Sequence, residues 1–390
     1  MSTIFLRKWL TISFFNLLLV AGLGVVLRYK IAFYLPFIDQ KFVLHSHSHF
    51  AFSGWITQTL MVLLIHYLSL KIGESVFKRY RWLLFANVIT AYGMMISFVI
   101  QGYAFFSIGF SILSIIVSYF FAVYYWKDLS KTTNTSSVHH LQNKVSHLWF
   151  KAALAFGIFS TFGTFCLAYM MATHTVNGSS SLVYIYFFLH FQYNGWFLFA
   201  GLGLLMTVLE KINHIAKDLK TVFWLFFPAC FPAYFLSVLW VPFGLVIDFL
   251  VIAAVIAQLF GWAILVKVFI KNKFFLSQQF SKYGKVLLIL SAIAFTIKLV
   301  LQSGSVHPQL STLSYGFRPI VIGYLHLVLL AVTSVFIIGY IIALKLVVLN
   351  ITLITGVLIF VVGVFINEIL LMIQGIAGLT YNSIPHINIL

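Results

Sequence analysis

The sequence predicts an all-α integral membrane protein, a polytopic helical bundle of about eleven transmembrane helices (ten to twelve), N-terminus inside. Three observations predict it. The chain of 390 residues is 62% hydrophobic and only 8% charged, with a mean hydropathy of +1.05. That is more apolar surface than a soluble domain of this length buries, so lipid is its solvent. The apolar residues fall in runs of roughly 20, the length of a membrane-crossing helix, and lack the alternating ten-residue pattern of a barrel. Finally, of 24 Lys and Arg residues, all but Arg28, Lys30, Lys41, Lys298 and Arg318 fall on the predicted inner side, as the positive-inside rule requires.

The runs place helices near 9–29, 45–69, 82–103, 105–126, 147–173, 182–209, 221–242, 246–270, 283–303, 319–343 and 349–376. Arg7 and Lys8 precede the first, and no small-residue cleavage site comes before Arg28, so it is a retained helix and not a signal peptide. The third and fourth are parted by a tight turn near Gly102, the seventh and eighth by Pro242-Phe243-Gly244. Asn350 alone parts the tenth from the eleventh. Residues 1–390 form a single transmembrane domain, with pseudo-repeats about 9–126, 147–270 and 283–376.

The formal charge of +17 is spread over short loops, which argues against a nucleic-acid partner. Cys166 and Cys230 both lie in apolar runs and predict packed or lipid-facing thiols. Lys298 and Gln302, near the outer end of the ninth helix, read as snorkelling side chains. Asp248, just past the Pro242 turn, reads as solvated.

Polar side chains inside a membrane are costly and face the bundle interior, so the thirteen histidines carry the functional signal. His45, His47 and His49 open the second helix in His-Ser-His-Ser-His-Phe-Ala-Phe-Ser-Gly-Trp. His190 stands in the sixth in His-Phe-Gln-Tyr-Asn-Gly-Trp-Phe, and His326 early in the tenth in Tyr-Leu-His-Leu-Val-Leu-Leu. The topology gives all three helices a histidine near the outer face. The interval is roughly 140 residues, one histidine per four helices, and Gly-Trp follows both His49 and His190 at the same offset, the mark of a diverged internal repeat. Ala331-Val332 replaces it in the tenth helix. Residues four apart share a helix face, so His45 and His49 act together while His47 points elsewhere.

Histidines from different helices in a bundle core suit haem iron or another metal. The small residues Ser53, Gly54, Gly195 and Ala331 leave room for a flat macrocycle. Arg28, Lys41 and Arg318 are candidates for propionate carboxylates. His66, His139, His140, His147, His214 and His386 read as ordinary interfacial histidines. His174 and His307, on outer loops, are open between the two readings. Gln192 and Asn194 read as glue between helices, and Glu368 in the eleventh helix as a proton-relay or cation-site candidate.

This pattern resembles the haem-copper oxidase subunit I superfamily and the NnrS-like haem membrane proteins, over the whole helical layout. The resemblance implies a low-spin haem between a second-helix histidine (His45, His47 or His49) and His326, with His190 available to a second metal, copper or iron, or a second haem. The sequence departs from the family in having Tyr324-Leu325-His326 for its tenth-helix His-x-His, no His-His pair in the seventh helix, and His-Phe-Gln-Tyr-Asn for its sixth-helix His-Pro-Glu-Val-Tyr. The expectation is therefore a haem-binding membrane protein of respiratory type, in electron transfer or nitric oxide and oxygen handling, and a candidate haem-dependent oxidoreductase. Its expected setting is the bacterial inner membrane, with lipid and an electron-donor protein or partner subunit as its partners. The competing classes are a transporter or metal-handling protein using the outer histidines, with Glu368 or Lys298 coupling cation movement, and a non-catalytic assembly subunit.

Overall fold

In a computed structural model, residues 2–134, 145–175, 177–241, 243–307 and 318–379 are described, and all their regular structure is helical. Nine helices among the described residues are long and apolar enough to cross a membrane. The chain divides into two compact units, one of Met1–Gln142 and one of Asn143–Pro385.

In the first unit, α1 runs Ser2–Ala32. Asp39 starts α2, Gln40–Ile72, its carboxylate accepting from the amides of Lys41 (2.8 Å) and Phe42 (3.0 Å) in ordinary N-cap fashion. The helix thus begins one turn before His45. Gly73 ends it with φ 96°, a conformation glycine reaches without strain. Helix α3, Ser75–Gln101, turns at Gly102 into α4, Phe105–Asn134. Gly102 has φ 61°, and a Cβ there would lie 2.4 Å from the Phe42 ring, so both conformation and space demand glycine.

Helix α4 extends well past the expected 126, because Asp128 has partners that keep it inside. Asp128 is 2% exposed, paired with Arg79, bonded by the Tyr80 hydroxyl at 2.7 Å and approached by Lys131 at 3.3 Å. Satisfied on several sides, a buried carboxylate is tolerated where an unpaired one is not.

In the second unit, α5 is Val145–Ala172. Its first turn is tied down by Glu210, which accepts from the Ser146 amide (2.6 Å) and hydroxyl (2.9 Å). Helix α6 occupies 178–209, with Asn177 as its N-cap. It falls outside the nine apolar spans, since His190, Gln192 and Asn194 interrupt its middle. The expected helix 221–242 is corrected: α7 is Ala216–Ala229, only 14 residues, about 21 Å and short of the hydrocarbon thickness. Pro228 and Pro232 are the reason, the second opening a tight 3-10 stretch, Pro232–Ser237.

Helix α8 is Leu245–Lys271 and α9 is Lys282–Gly304. Helix α10 begins at Arg318 and ends at Ala343. At α9's start a Cβ on Gly284 would meet the Ala343 backbone at 2.3 Å, so these helices touch main chain to main chain. Asn350 caps α11, Ile351–Leu379, by accepting from the Leu353 amide at 2.8 Å, which is why the chain breaks there without a charged loop. Most of α11 faces outward, with Ile359, Phe365 and Met372 exposed.

Candidate functional site

Each histidine helix has the same local irregularity. The α2 backbone switches to π-helical, i→i+5 bonding over Ala51–Thr57, α6 over Phe191–Phe197 and α10 over Leu327–Ser334. Each wide turn starts one or two residues after the histidine. Such turns are rare and concentrate at functional sites. Several carbonyls in these turns are met by side chains from outside them. Asn16 donates to Gly54 O (2.6 Å) and Asn87 to Ser53 O (3.0 Å) in the first unit. In the second, Ser291 donates to Val332 O (2.8 Å) and the Cys230 thiol approaches Asn194 O (3.7 Å). Thr333 and Ser334 add hydroxyl bonds to the carbonyls five residues back, at 2.8 and 2.7 Å. The small residues Gly54, Gly195 and Ala331 all sit within these turns, and the space beside the two glycines is filled by protein. A Cβ would lie 2.7 Å from Phe50 at Gly54 and 2.6 Å from Phe156 at Gly195.

In the first unit, His45 and His49 share one face against Tyr103 and Phe98. The His49 ring stacks on Phe98 (4.4 Å) and His45 meets Tyr103 edge-on (4.6 Å). His49 Nε2 and the Tyr103 hydroxyl are 3.1 Å apart. Burial pushes the Tyr103 phenol above its ordinary range, so it stays a neutral hydrogen-bonding partner. His47 turns away to α1, its Nδ1 bonding Val20 O at 3.1 Å. Beside the wide turn lies a polar core that sequence reasoning missed. Asn16, Gln58 and Asn87 are all 0% exposed. Tyr92 donates to Asn16 (2.8 Å) and Asn87 to Gln58 (2.8 Å), while Gln58 Nε2 and Asn87 Oδ1 have no partner among the described residues.

In the second unit, His190 is 2% exposed and both its ring nitrogens are engaged. Nε2–H donates to Cys230 O at 2.9 Å, and Asn194 donates into Nδ1 at 3.2 Å. The acceptor is open because the 3-10 stretch after α7 turns the Tyr234 amide back to Phe231 O. No lone pair of His190 is left for the expected second metal. Its Asn194 is an orienting partner within one helix and not glue between helices.

His326 differs. Its Nδ1–H donates to Ile322 O at 2.9 Å, and Nε2 has no partner among the described residues. That tautomer, with one nitrogen anchored to a backbone carbonyl and the other lone pair available, is the state in which imidazole binds a metal. The donor set therefore fits an axial haem ligand at His326 and does not fit a metal at His190. Arg318 opens α10, but its side chain lies outside the described residues, as do His139, His140 and His386.

Glu368 sits on the buried stripe of α11. Leu371 packs on Gly323 and Gly375 on Ile320, an antiparallel register that brings residues 367 and 368 level with His326 and Leu327. Glu368 and Asn367 are half-buried neighbours whose side chains interact with each other, and no other partner reaches Glu368 Oε1 or Asn367 Nδ2 among the described residues.

Lys298 is the main correction. It does not snorkel: it is 2% exposed and Gln302 6%. The Lys298 ammonium donates to Gln302 Oε1, and Gln302 Nε2 to Gln258 Oε1 at 2.9 Å. Lys298 borders a cavity of about 10 Å³ with Asn194, Tyr193, Val332 and Thr333, where the wide turns of α6 and α10 meet α9. Among the described residues no three His, Cys, Asp or Glu side chains are grouped to hold a metal ion. The chain matches no protein-family model and no curated protein sequence.

Proposed function

We propose that this chain is a haem-binding integral membrane protein of respiratory or nitric-oxide-handling type, with His326 as an axial ligand. The observation that carries this reading is the His326 tautomer, Nδ1–H held by Ile322 O with Nε2 unpartnered. Within the first unit, His45 and His49, which share one face, are favoured over His47 as further ligand candidates. Haem bound there supplies one-electron transfer and binding of a small gas. The chain's own part is to orient the imidazole and fix its tautomer.

The finer topology belongs to the same proposal. It has about eleven spans (ten to twelve) in three pseudo-repeats of four, four and three helices, α7 being the short one, with the N-terminus inside, in a bacterial inner membrane, with an electron-donor protein or partner subunit as partner. The recurrence of histidine plus wide turn in α2, α6 and α10 supports the repeat. No second metal is proposed at His190.

The test is a pyridine haemochrome assay and Soret spectrum on purified protein expressed with ample haem. A bis-histidine spectrum that disappears in His326→Ala is the expected result, and a colourless wild-type preparation sinks the reading. A cation transporter is favoured by one observation, the half-buried Glu368 carboxylate within α11, whose Oε1 meets no partner beyond the neighbouring Asn367 among the described residues. It predicts cation-dependent uptake into proteoliposomes that Glu368→Gln abolishes.

A further inference from the structure

Helix α8 ends at Lys271, and its last turns place Ile264, Lys267, Val268 and Lys271 three and four residues apart, on one continuous face. That face lines a cavity of about 370 Å³, together with Asn272 and with His214, Ile215 and Asp218 from the 3-10 turn Asn213–Ile215 and the first turn of α7. A volume of this order falls in the range of roughly 300–1,000 Å³ that holds a small molecule. Its wall is apolar at Ile215, Ile264 and Val268 and charged beside them.

The charges on this wall do not cancel. Two ammonium groups four residues apart on a helix repel each other, and among the described residues neither Lys267 nor Lys271 has an ion pair or a side-chain hydrogen bond. The carboxylate on the wall, Asp218, lies in the first turn of α7, where the helix's own amides favour negative charge. Lys271, in the last turn of α8, complements that helix's carbonyl end, but Lys267 stands a turn earlier, where the end effect has faded. Asn272 gives its amide to Val268 O at 2.9 Å. Two lysines against one carboxylate leave a positive wall, which suits an anion.

We propose that this cavity binds a phosphate group, carried by the headgroup of an anionic phospholipid. The Lys267 and Lys271 ammonium groups donate to the phosphate oxygens in charge-assisted hydrogen bonds, and Ile215, Ile264 and Val268 border the glycerol. The lipid source follows from the place of the site. Helix α8 is an apolar span that ends at this rim, and the neighbouring Lys217, Lys220 and Lys273 are exposed, a basic border that draws anionic lipid to the cavity. The site is separate from the haem reading and needs no haem.

The experiment is native mass spectrometry of the full chain in a neutral detergent, titrated with phosphatidylglycerol or phosphatidylcholine. The first phosphatidylglycerol should bind more tightly than phosphatidylcholine, and the Lys267→Met/Lys271→Met double variant should weaken it at least about tenfold, given the roughly 1 kcal/mol that each lysine contributes near a lipid surface. Asp218→Asn, which removes the opposing charge, should tighten it. Lys220→Met, off the cavity wall, should leave it unchanged. Equal binding of the two lipids overturns the proposal, as does a loss in Lys220→Met matching that of the double variant, which would mean a diffuse basic rim. Inorganic phosphate tests the source: binding at millimolar phosphate that is lost in the double variant, without lipid selectivity, would keep the phosphate site and overturn the lipid. Selective lipid binding by a colourless preparation supports this site while sinking the haem reading, so the two fail separately.

Discussion

The Nε2–H of His190 reaches the main-chain oxygen of Cys230 at 2.9 Å, joining the middle of α6 to the break after α7. Together with Asn194 on Nδ1, this spends the ring on holding helices in place. His190→Ala leaves Cys230 O and the Asn194 amide unsatisfied and should cost about 2–4 kcal/mol. Its thermal-unfolding midpoint in detergent should fall while haem per folded chain is unchanged. Loss of haem at unaltered stability would show that His190 is a ligand.

The buried Asp128 should behave as a structural anchor. Asp128→Ala strands the Tyr80 hydroxyl and removes the partner of Arg79. With Arg79 half exposed and water able to reclaim it, the expected loss is about 2–3 kcal/mol, below that of a wholly buried pair. Chemical denaturation of the variant against wild type measures it.

Two glycine substitutions should diverge. Gly284→Ala forces a methyl onto the Ala343 backbone at 2.3 Å, which cannot swing aside, and should destabilise by about 1–3 kcal/mol or more. Gly363→Ala meets nothing within 4 Å and should gain about 0.5–1 kcal/mol from helix propensity. Equal effects on the melting midpoint would contradict the packing described for α9 and α10.

Ser291→Ala removes the donor that satisfies Val332 O in the α10 wide turn. The cost should be about 1 kcal/mol. Amide hydrogen exchange should accelerate around 332–337 first, before the rest of α10 responds.

The apolar helices were legible in the sequence because twenty-residue runs have few other physical meanings. The split of His45 and His49 from His47 followed from helical periodicity. The wide turns were not legible. In a continuous apolar run, one residue more per turn leaves no mark in the hydrophobic pattern. The burial of Lys298 was hidden for a different reason. A lysine near a helix end has a stem long enough to reach the interface, and only the neighbours Gln302 and Gln258 reveal that it turns inward. The end of α4 was set too early because Asp128 looks like a loop residue until Arg79 and Tyr80 are placed beside it. The early break of α7 has a signal in Pro228 and Pro232, masked in the sequence by the apolar run around them.

The wide turns give the histidine helices a division of labour. An added residue in a helical turn advances everything beyond it by about 100°, so the two halves of α10 are out of phase. The half with Val335–Ala343 is buried on nearly every side, while the half with His326 is only partly buried. Substitutions that retune the histidine end thus leave the packed half in place, and one helix serves as both chassis and dial.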